Sequence, residues 1–222
     1  GILLPPSNGG LLANMAVTIS GRVSVNLNYT LSDKDIRYCI AASGIRHVIT
    51  SRRFLEKKPV EFDPATQVIF LEDVKDKMTG ADKVLSAIAA HAVPICILER
   101  WLGLTRIKPT DLMTIIFSSG STGQPKGVML SHHNVGSNIS SADQLFQIKR
   151  TDVVLCVLPF FHSFGHTLMM WLPMNVDCAA VYHFNPLDSR TVGELSQKYK
   201  VTILAATPTF LKSYLKRCDK EQ

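Results

Sequence analysis

Cysteine is scarce in pattern rather than in number. Cys39, Cys96, Cys156, Cys178 and Cys218 lie far apart, and no two form a C-x-x-C pair. An odd count without a framework leaves no disulfide scaffold and fits small apolar residues in a reducing cytoplasm. Long apolar runs are missing too. The most apolar long stretch, Phe164 to Tyr182, is interrupted by Pro173 and Asp177, which excludes it as a membrane span. No signal peptide is visible, and the chain opens on Gly1 rather than on an initiator Met. Charge of one sign is nowhere gathered into a tract. Basic residues are scattered, as in Arg52, Arg53, Lys57, Lys58, Lys212, Lys216 and Arg217. A net charge of +6 spread this way reads as solvated helix faces and not as a nucleic-acid footprint. It leaves room for an anionic partner such as an acidic carrier protein or a membrane surface. No internal repeat is evident.

What is present is a folded α/β composition, 46% hydrophobic and 19% charged, over 222 residues. The distinctive stretch is Thr114-Ile-Ile-Phe-Ser-Ser-Gly-Ser-Thr-Gly-Gln-Pro-Lys-Gly-Val128. Ile115 to Phe117 reads as a buried strand that runs into small hydroxyl and glycine residues, then Pro125, Lys126 and Gly127. Glycine lets a backbone approach a ligand without a Cβ clash, and clustered N–H groups in a turn point at anions. Hydroxyls add donors, and Lys126 adds a point charge. The physical reading is a loop that wraps a polyphosphate. It is not a Walker loop: counting from Gly120, Pro125 precedes Lys126 and Gly127 stands where Ser or Thr is needed. The dinucleotide pattern G-x-G-x-x-G and the hydrolase elbow G-x-S-x-G are absent here as well.

Ser118-Ser-Gly-Ser-Thr-Gly-Gln-Pro-Lys-Gly-Val128 resembles the signature of the adenylate-forming, or AMP-binding, enzymes. Leu158-Pro-Phe-Phe-His-Ser-Phe-Gly-His166, Ala206-Thr-Pro-Thr-Phe-Leu211 and Gly21-Arg-Val-Ser-Val-Asn-Leu-Asn28 resemble further family segments in the same order. Within the family, the Leu158 and Thr207 segments are most similar to acyl–acyl-carrier-protein synthetases. They resemble especially the synthetase part of bifunctional 2-acylglycerophosphoethanolamine acyltransferases. An ordinary long-chain acyl-CoA ligase is the rival, and a non-catalytic binding module that kept the fold is the other alternative.

The coarse elements alternate. Strand 2–4 leads to a helix opening near Ser7 or Asn8, with Leu11, Leu12, Met15, Ala16 and Ile19 on one face and Gly21 as its stop. Strand 23–27 follows, then a helix capped by Ser32 with Asp35 that buries Ile36, Cys39 and Ile40. Strands 47–50 and 68–71 come next, and Thr79 caps a helix carrying Val84, Leu85 and Ile88. Residues 72–110 otherwise resist reading. After the loop, Ser131 opens a helix to about Phe146. Strand 153–158, a helix over 164–172 ending at Pro173, strand 178–182, a helix over 189–199, strand 201–205 and a helix opened by Thr207-Pro208 complete the chain. This alternation predicts an α/β protein of parallel sheets flanked by helices. The resemblance implies part of the large N-terminal domain of an adenylate-forming enzyme. The expected division is an α/β subdomain over 1–145, ending with the phosphate loop and its helix, and a partial second subdomain over 146–222.

The resemblance implies ATP with Mg²⁺ as cofactors and a fatty acid joined to acyl carrier protein or coenzyme A as partners. Ser118, Ser119, Gly120, Ser121, Thr122, Gly123, Lys126 and Gly127 would hold the ATP phosphates. Phe161, His162, Phe164 and Gly165 would lie beside the acyl site, with Lys126 and His162 supporting the chemistry. Phe160, Leu168, Met169, Met170 and Trp171 read equally as acyl-tunnel lining or as core. His162 and His166 at i, i+4 could share a helix face, but no H-E-x-x-H pattern or third ligand accompanies them. The expected location is the cytoplasm, at the inner face of the cell membrane if other domains anchor the parent. Segments that the resemblance places after Gln222 include an adenine-binding segment, a Mg²⁺-binding Glu and a late catalytic Lys. The chain is therefore expected to be part of a longer enzyme and to make no acyl-adenylate alone. ATP–pyrophosphate exchange by the isolated chain at a full-length rate would contradict this.

Overall fold

In a computed structural model of the chain, residues 1–118 and 123–218 are described. They divide into two compact units. The first comprises residues 1–4 and 12–132, the second residues 5–11 and 133–222. The division thus runs through helix α1 (Asn8–Ile19) and at the start of helix α7 (His132–Phe146), ahead of the expected boundary at 145.

The first unit is organised on a hydrogen-bonded layer. It contains α2 (Asp33–Ala42), β1 (His47–Thr50), α3 (Arg52–Lys57), β2 (Gln67–Phe70), α4 (Leu71–Lys77), α5 (Gly80–Ala92) and α6 (Ile95–Trp101). It ends on β3 (Leu112–Ser118) and β4 (Lys126–Ser131). β1 pairs β2 in parallel, while β3 pairs β4 antiparallel. Between these pairs lie two extended segments joined by single bridges, where strands 2–4 and 23–27 were expected. Ile2 bridges both Ile49 and Asn26, and Ser24 bridges Thr114, all in parallel. The bonds Leu3 N–H to Ile49 O (2.9 Å), Ile2 N–H to Val25 O (2.8 Å) and Ser24 N–H to Met113 O (3.1 Å) carry the layer across. The antiparallel pair departs from the parallel expectation for a simple reason. Residues 119–125 are too few for a crossover, which needs a dozen or more, so the chain must turn back on itself.

Local chemistry sets the helix ends. Ser32 accepts the Asp35 N–H (3.2 Å) at the start of α2, and Ile36, Cys39 and Ile40 bury the expected stripe. Thr79 and Asp82 form a reciprocal capping box at α5. The buried face of α1 is only partly the expected one: Leu11 is buried and Met15 half-buried. Leu12 is 62% exposed and Ile19 is exposed, while Ala13 and Asn14 are buried. Small residues let this helix approach the layer, where Ala13 and Val17 pack with Ile2, Leu4 and Ile49. Asn14 exchanges two hydrogen bonds with Asn26, at 3.0 and 2.8 Å. Large apolar residues on the same helix are thereby left outside. Val84, Leu85 and Ile88 of α5 are also exposed rather than buried.

The second unit contains α7, β5 (Val153–Cys156), α8 (Leu172–Val176), β6 (Ala179–Tyr182), α9 (Ser189–Tyr199), β7 (Ile203–Leu204) and α10 (Pro208–Arg217). β5 lies between β6 and β7, and both pairs are parallel. Leu155, Val157, Val192 and Tyr214 form its core with Leu195, Leu204 and Phe210 packed against them. Thr207 caps α10 with Pro208 in its first turn, as the sequence predicts.

The Asn14–Asn26 pair is the main polar tie inside the first unit. Asn14→Ala strands the Asn26 amide in a buried site, and about 2 kcal/mol of stability is expected to go with it. Urea unfolding followed by circular dichroism measures this; an unchanged midpoint would contradict it.

Candidate functional site

In the first unit, the candidate phosphate-binding element is the β3–β4 hairpin. β3 ends on Ser118 and β4 opens on Lys126, and these two residues pair directly across the ladder. The Ser118 hydroxyl donates to the Lys126 carbonyl at 3.4 Å. The hairpin is anchored in the layer by Thr114, whose buried hydroxyl donates to Ser24 O at 2.7 Å. A register shift between Leu112 and Thr114 re-aims the base of the strand. Gly123 takes φ +89°, in the left-handed region that a side chain rarely tolerates. Gly127 sits opposite Phe117, and a Cβ there would stand 3.0 Å from Ile115 Cγ2. Lys126 is exposed and makes no ion pair among the described residues. Ser119, Gly120, Ser121 and Thr122, named above as phosphate ligands, lie outside the described residues. The described part therefore places Ser118, Gly123, Lys126 and Gly127 at the two strand ends from which the loop springs.

A separate candidate segment, residues 159–182, belongs to the second unit. After β5 the chain turns at Pro159, whose carbonyl accepts the His162 N–H at 3.2 Å. A Cβ on Gly165 would stand 2.0 Å from that same carbonyl oxygen, so no side chain fits at this position. Gly165 opens a π-helix, Gly165–Trp171, where a helix ending at Pro173 was expected. The wide turn closes through Leu172 N–H to Thr167 O, five residues back. Pro173 does not end the helix but enters the first turn of α8. Its missing N–H would have met Met169 O. That carbonyl instead accepts the Tyr182 hydroxyl at 3.3 Å. Burial raises the Tyr182 pKa, so its proton stays available for the bond.

The aromatic residues of this segment separate by environment. Phe160, Phe161, Met169 and Met170 are buried, whereas His162 and Phe164 are exposed. The His162 ring lies 4.6 Å from the Phe161 ring, and partial desolvation lowers its pKa. His166 is fully buried, so the two histidines do not share one exposed face. Trp171 Nε1–H donates to His166 Nε2 at 3.3 Å. Nε2 is therefore the acceptor and Nδ1 carries the proton in the neutral ring. Nδ1 has no partner among the described residues, and burial pushes the pKa down to about 4. His166 entered the sequence reading only as a companion of His162. The signal of its burial, an apolar run on both sides from Phe160 to Leu172, was available.

The whole chain, residues 1–222, matches the family model of the AMP-binding enzymes. It is 28% identical to 4-coumarate–CoA ligase 4 of Arabidopsis thaliana, over all of this chain and 39% of that protein. It is 30% identical to a Mycobacterium tuberculosis CoA ligase for a methyl-dioxo-octahydroindenyl propanoate, over 78% of this chain and 31% of the relative. The chain thus spans well under half the length of these curated relatives. Among solved structures, O-succinylbenzoate coenzyme A synthetase of Bacillus subtilis in complex with AMP superposes with a TM-score of 0.77 at 21% identity, over 99% of this chain and 52% of that one. The same synthetase was solved with ATP and magnesium ion, and it superposes with a TM-score of 0.77 at 22% identity, over 99% of this chain and 42% of that one.

A buried neutral histidine makes the second unit sensitive to acid. The His166 pKa of about 4 in the folded protein lies below the ordinary imidazole value of 6.5, so the unfolded chain takes up the proton first. Stability is full above pH 6.5 and drains as pH falls towards 4. The loss expected across that window is about 3 kcal/mol. His166→Gln removes the titrating group, and urea midpoints measured from pH 7 to 4 should fall less steeply for the variant; parallel slopes would contradict the assignment. By the match to its family model over its full length, the chain belongs to the AMP-binding enzyme family.

Proposed function

We propose that the chain carries the phosphate-gripping part of an ATP-dependent, AMP-forming acid–thiol ligase. The observation that supports this most is the hairpin whose two feet, Ser118 and Lys126, pair directly and leave an exposed ammonium that makes no ion pair among the described residues, where a Gly- and hydroxyl-rich sequence links the two strands. In the proposed reaction a carboxylate oxygen attacks the α-phosphorus of ATP. The new O–P bond forms as the bond to pyrophosphate breaks, giving an acyl-adenylate. A thiol then attacks the acyl carbon, its proton leaves to solvent, and the C–O bond to AMP breaks. Negative charge grows on the departing pyrophosphate in the first step. Donors and a cation fixed in advance stabilise it without reorganising. Ser118 to Gly123 with Lys126 and Gly127 would do this for the β and γ phosphates. The described residues contain no group of three His, Cys, Asp or Glu suited to a metal. Magnesium would arrive with ATP and neutralise part of the phosphate charge.

In the second unit, the reading gives Phe161, His162, Phe164 and Gly165 the place beside the acyl group. Gly165 would set the backbone path, and exposed His162 would face the reacting carboxylate. A fatty acid is the proposed acid, in the cytoplasm, with acyl carrier protein as acceptor. This rests on the Leu158–His166 and Thr207–Tyr214 segments of the sequence. Coenzyme A is the rival acceptor, and it is favoured by the curated relatives, which are named as CoA ligases. The parent as an enzyme attached to a membrane through other domains remains part of the same proposal.

The test uses the full-length protein that contains this sequence. Lys126→Ala together with Ser121→Ala should lower ATP–pyrophosphate exchange by about 100-fold, with the fold unchanged by circular dichroism. Unchanged exchange would remove the loop from the reaction. Mass spectrometry of thioesters formed from mixed fatty acids, with coenzyme A and carrier protein both supplied, names the acceptor.

A further inference from the structure

Residues 163–176 of the second unit form one unbroken helical run, α-helical at both ends and wide in the middle. Both ends of the run are fixed. Upstream, the backbone at Gly165 rests on Pro159 O. Downstream, the Cys178 N–H donates to Pro173 O at 3.1 Å, and β6 then pairs with β5 residue by residue as far as Tyr182 opposite Cys156. A run held at both ends cannot exchange a wide turn for an α-turn without rotating what lies between. An α-helix advances roughly 100° per residue, so giving up the extra residue of the wide turn swings its neighbours by about that angle.

Two clasps hold the turn. Tyr182 reaches it from the end of β6, with its hydroxyl on Met169 O at 3.3 Å and its ring edge-on to buried Phe160 at 5.6 Å. Trp171 spans the turn and donates to His166 Nε2 at 3.3 Å. A Phe at either position would keep most of the packing. What the hydroxyl and the indole N–H add is direction, since a hydrogen bond fixes angle as well as distance. His166, Met169 and Met170 are buried, whereas Phe164 is exposed and Leu168 half-buried, so these last two carry any change in the turn to the outer face. We propose that Tyr182 and Trp171 are positioning residues for the acid: by holding the wide turn they set where Phe164 and Leu168 stand beside the acyl group, and so which acids fit. This role rests on the ligase reading above, and it gives neither residue a part in the chemistry.

The test uses the full-length protein, with ATP–pyrophosphate exchange followed for straight-chain acids of graded length. Tyr182→Phe keeps the ring and deletes the hydroxyl, and Trp171→Phe deletes the donor to His166. Each should change the ratio of kcat/KM between the longest and the shortest acid by about tenfold, with the KM for ATP unchanged. Tyr214→Phe is the control for a hydrogen bond lost elsewhere in the same unit, because its hydroxyl donates to Pro186 O at 2.7 Å. It should leave that ratio where it was. Thermal unfolding of all three variants separates loss of fold from change of preference, and either positioning variant suffices if the other does not fold. Three results would overturn the positioning role: an unchanged ratio in a variant that folds, a common fall in rate for every acid, and a change of ratio in Tyr214→Phe as large as in Tyr182→Phe. Absence of exchange with every acid in the unaltered protein would be a different failure, that of the ligase reading, and the positioning role would fall with it.

Discussion

The pairing of Ser118 with Lys126 is the constraint on which the candidate nucleotide site depends. An antiparallel ladder fixes the distance and facing of its two end residues, so whatever the intervening loop does, it leaves and returns at one place. The ladder is in turn fastened to the layer by Thr114 and Ser24, and the layer is continuous only because single bridges at Ile2 and Ser24 complete it. A cation and a hydroxyl are thus presented together by backbone hydrogen bonds, which hold position better than flexible side chains do. Membership of the AMP-binding family agrees with this arrangement, and the AMP and ATP complexes of O-succinylbenzoate coenzyme A synthetase belong to a protein of the same fold.

Much of the fold was legible because its local signals agree with its tertiary structure. Ser32, Thr79 and Thr207 announce helix starts, and each accepts the expected backbone N–H. The stripe of Ile36, Cys39 and Ile40 is buried as its spacing predicts. Other elements were hidden for definable reasons. In α1 the large residues suggest one face, but close approach to the layer selects the small ones and a buried asparagine pair. Periodicity weighs bulk and says nothing about how near a backbone must come. In residues 71–101 the periodic stripe is real, yet it faces outward, and pattern alone does not say towards what.

The candidate site shows the same division. Lys126 and the glycines were legible from residue type and order. The π-turn was not, because it arises from a compensation between distant residues: Pro173 withholds a donor, and Tyr182 supplies one to the freed Met169 carbonyl. Nor was the state of His166, whose neutral tautomer depends on Trp171 one wide turn away. Neither partner is adjacent in sequence, so no short motif records either arrangement. Hydrogen-bond accounting recovers both once the geometry is known.

The glycine at 165 has a consequence for how this segment can diversify. With Pro159 O where its Cβ would be, the main chain is pinned at that point by two backbones in contact. If this segment borders the acyl group as proposed, a site beside a pinned backbone changes its occupant by exchanging the side chains around the pivot. The exposed neighbour Phe164 and half-buried Leu168 are free to vary in size, while the path that carries them stays put. Selection for a new acid would then be written in residues of changing bulk beside an unchanging hinge point.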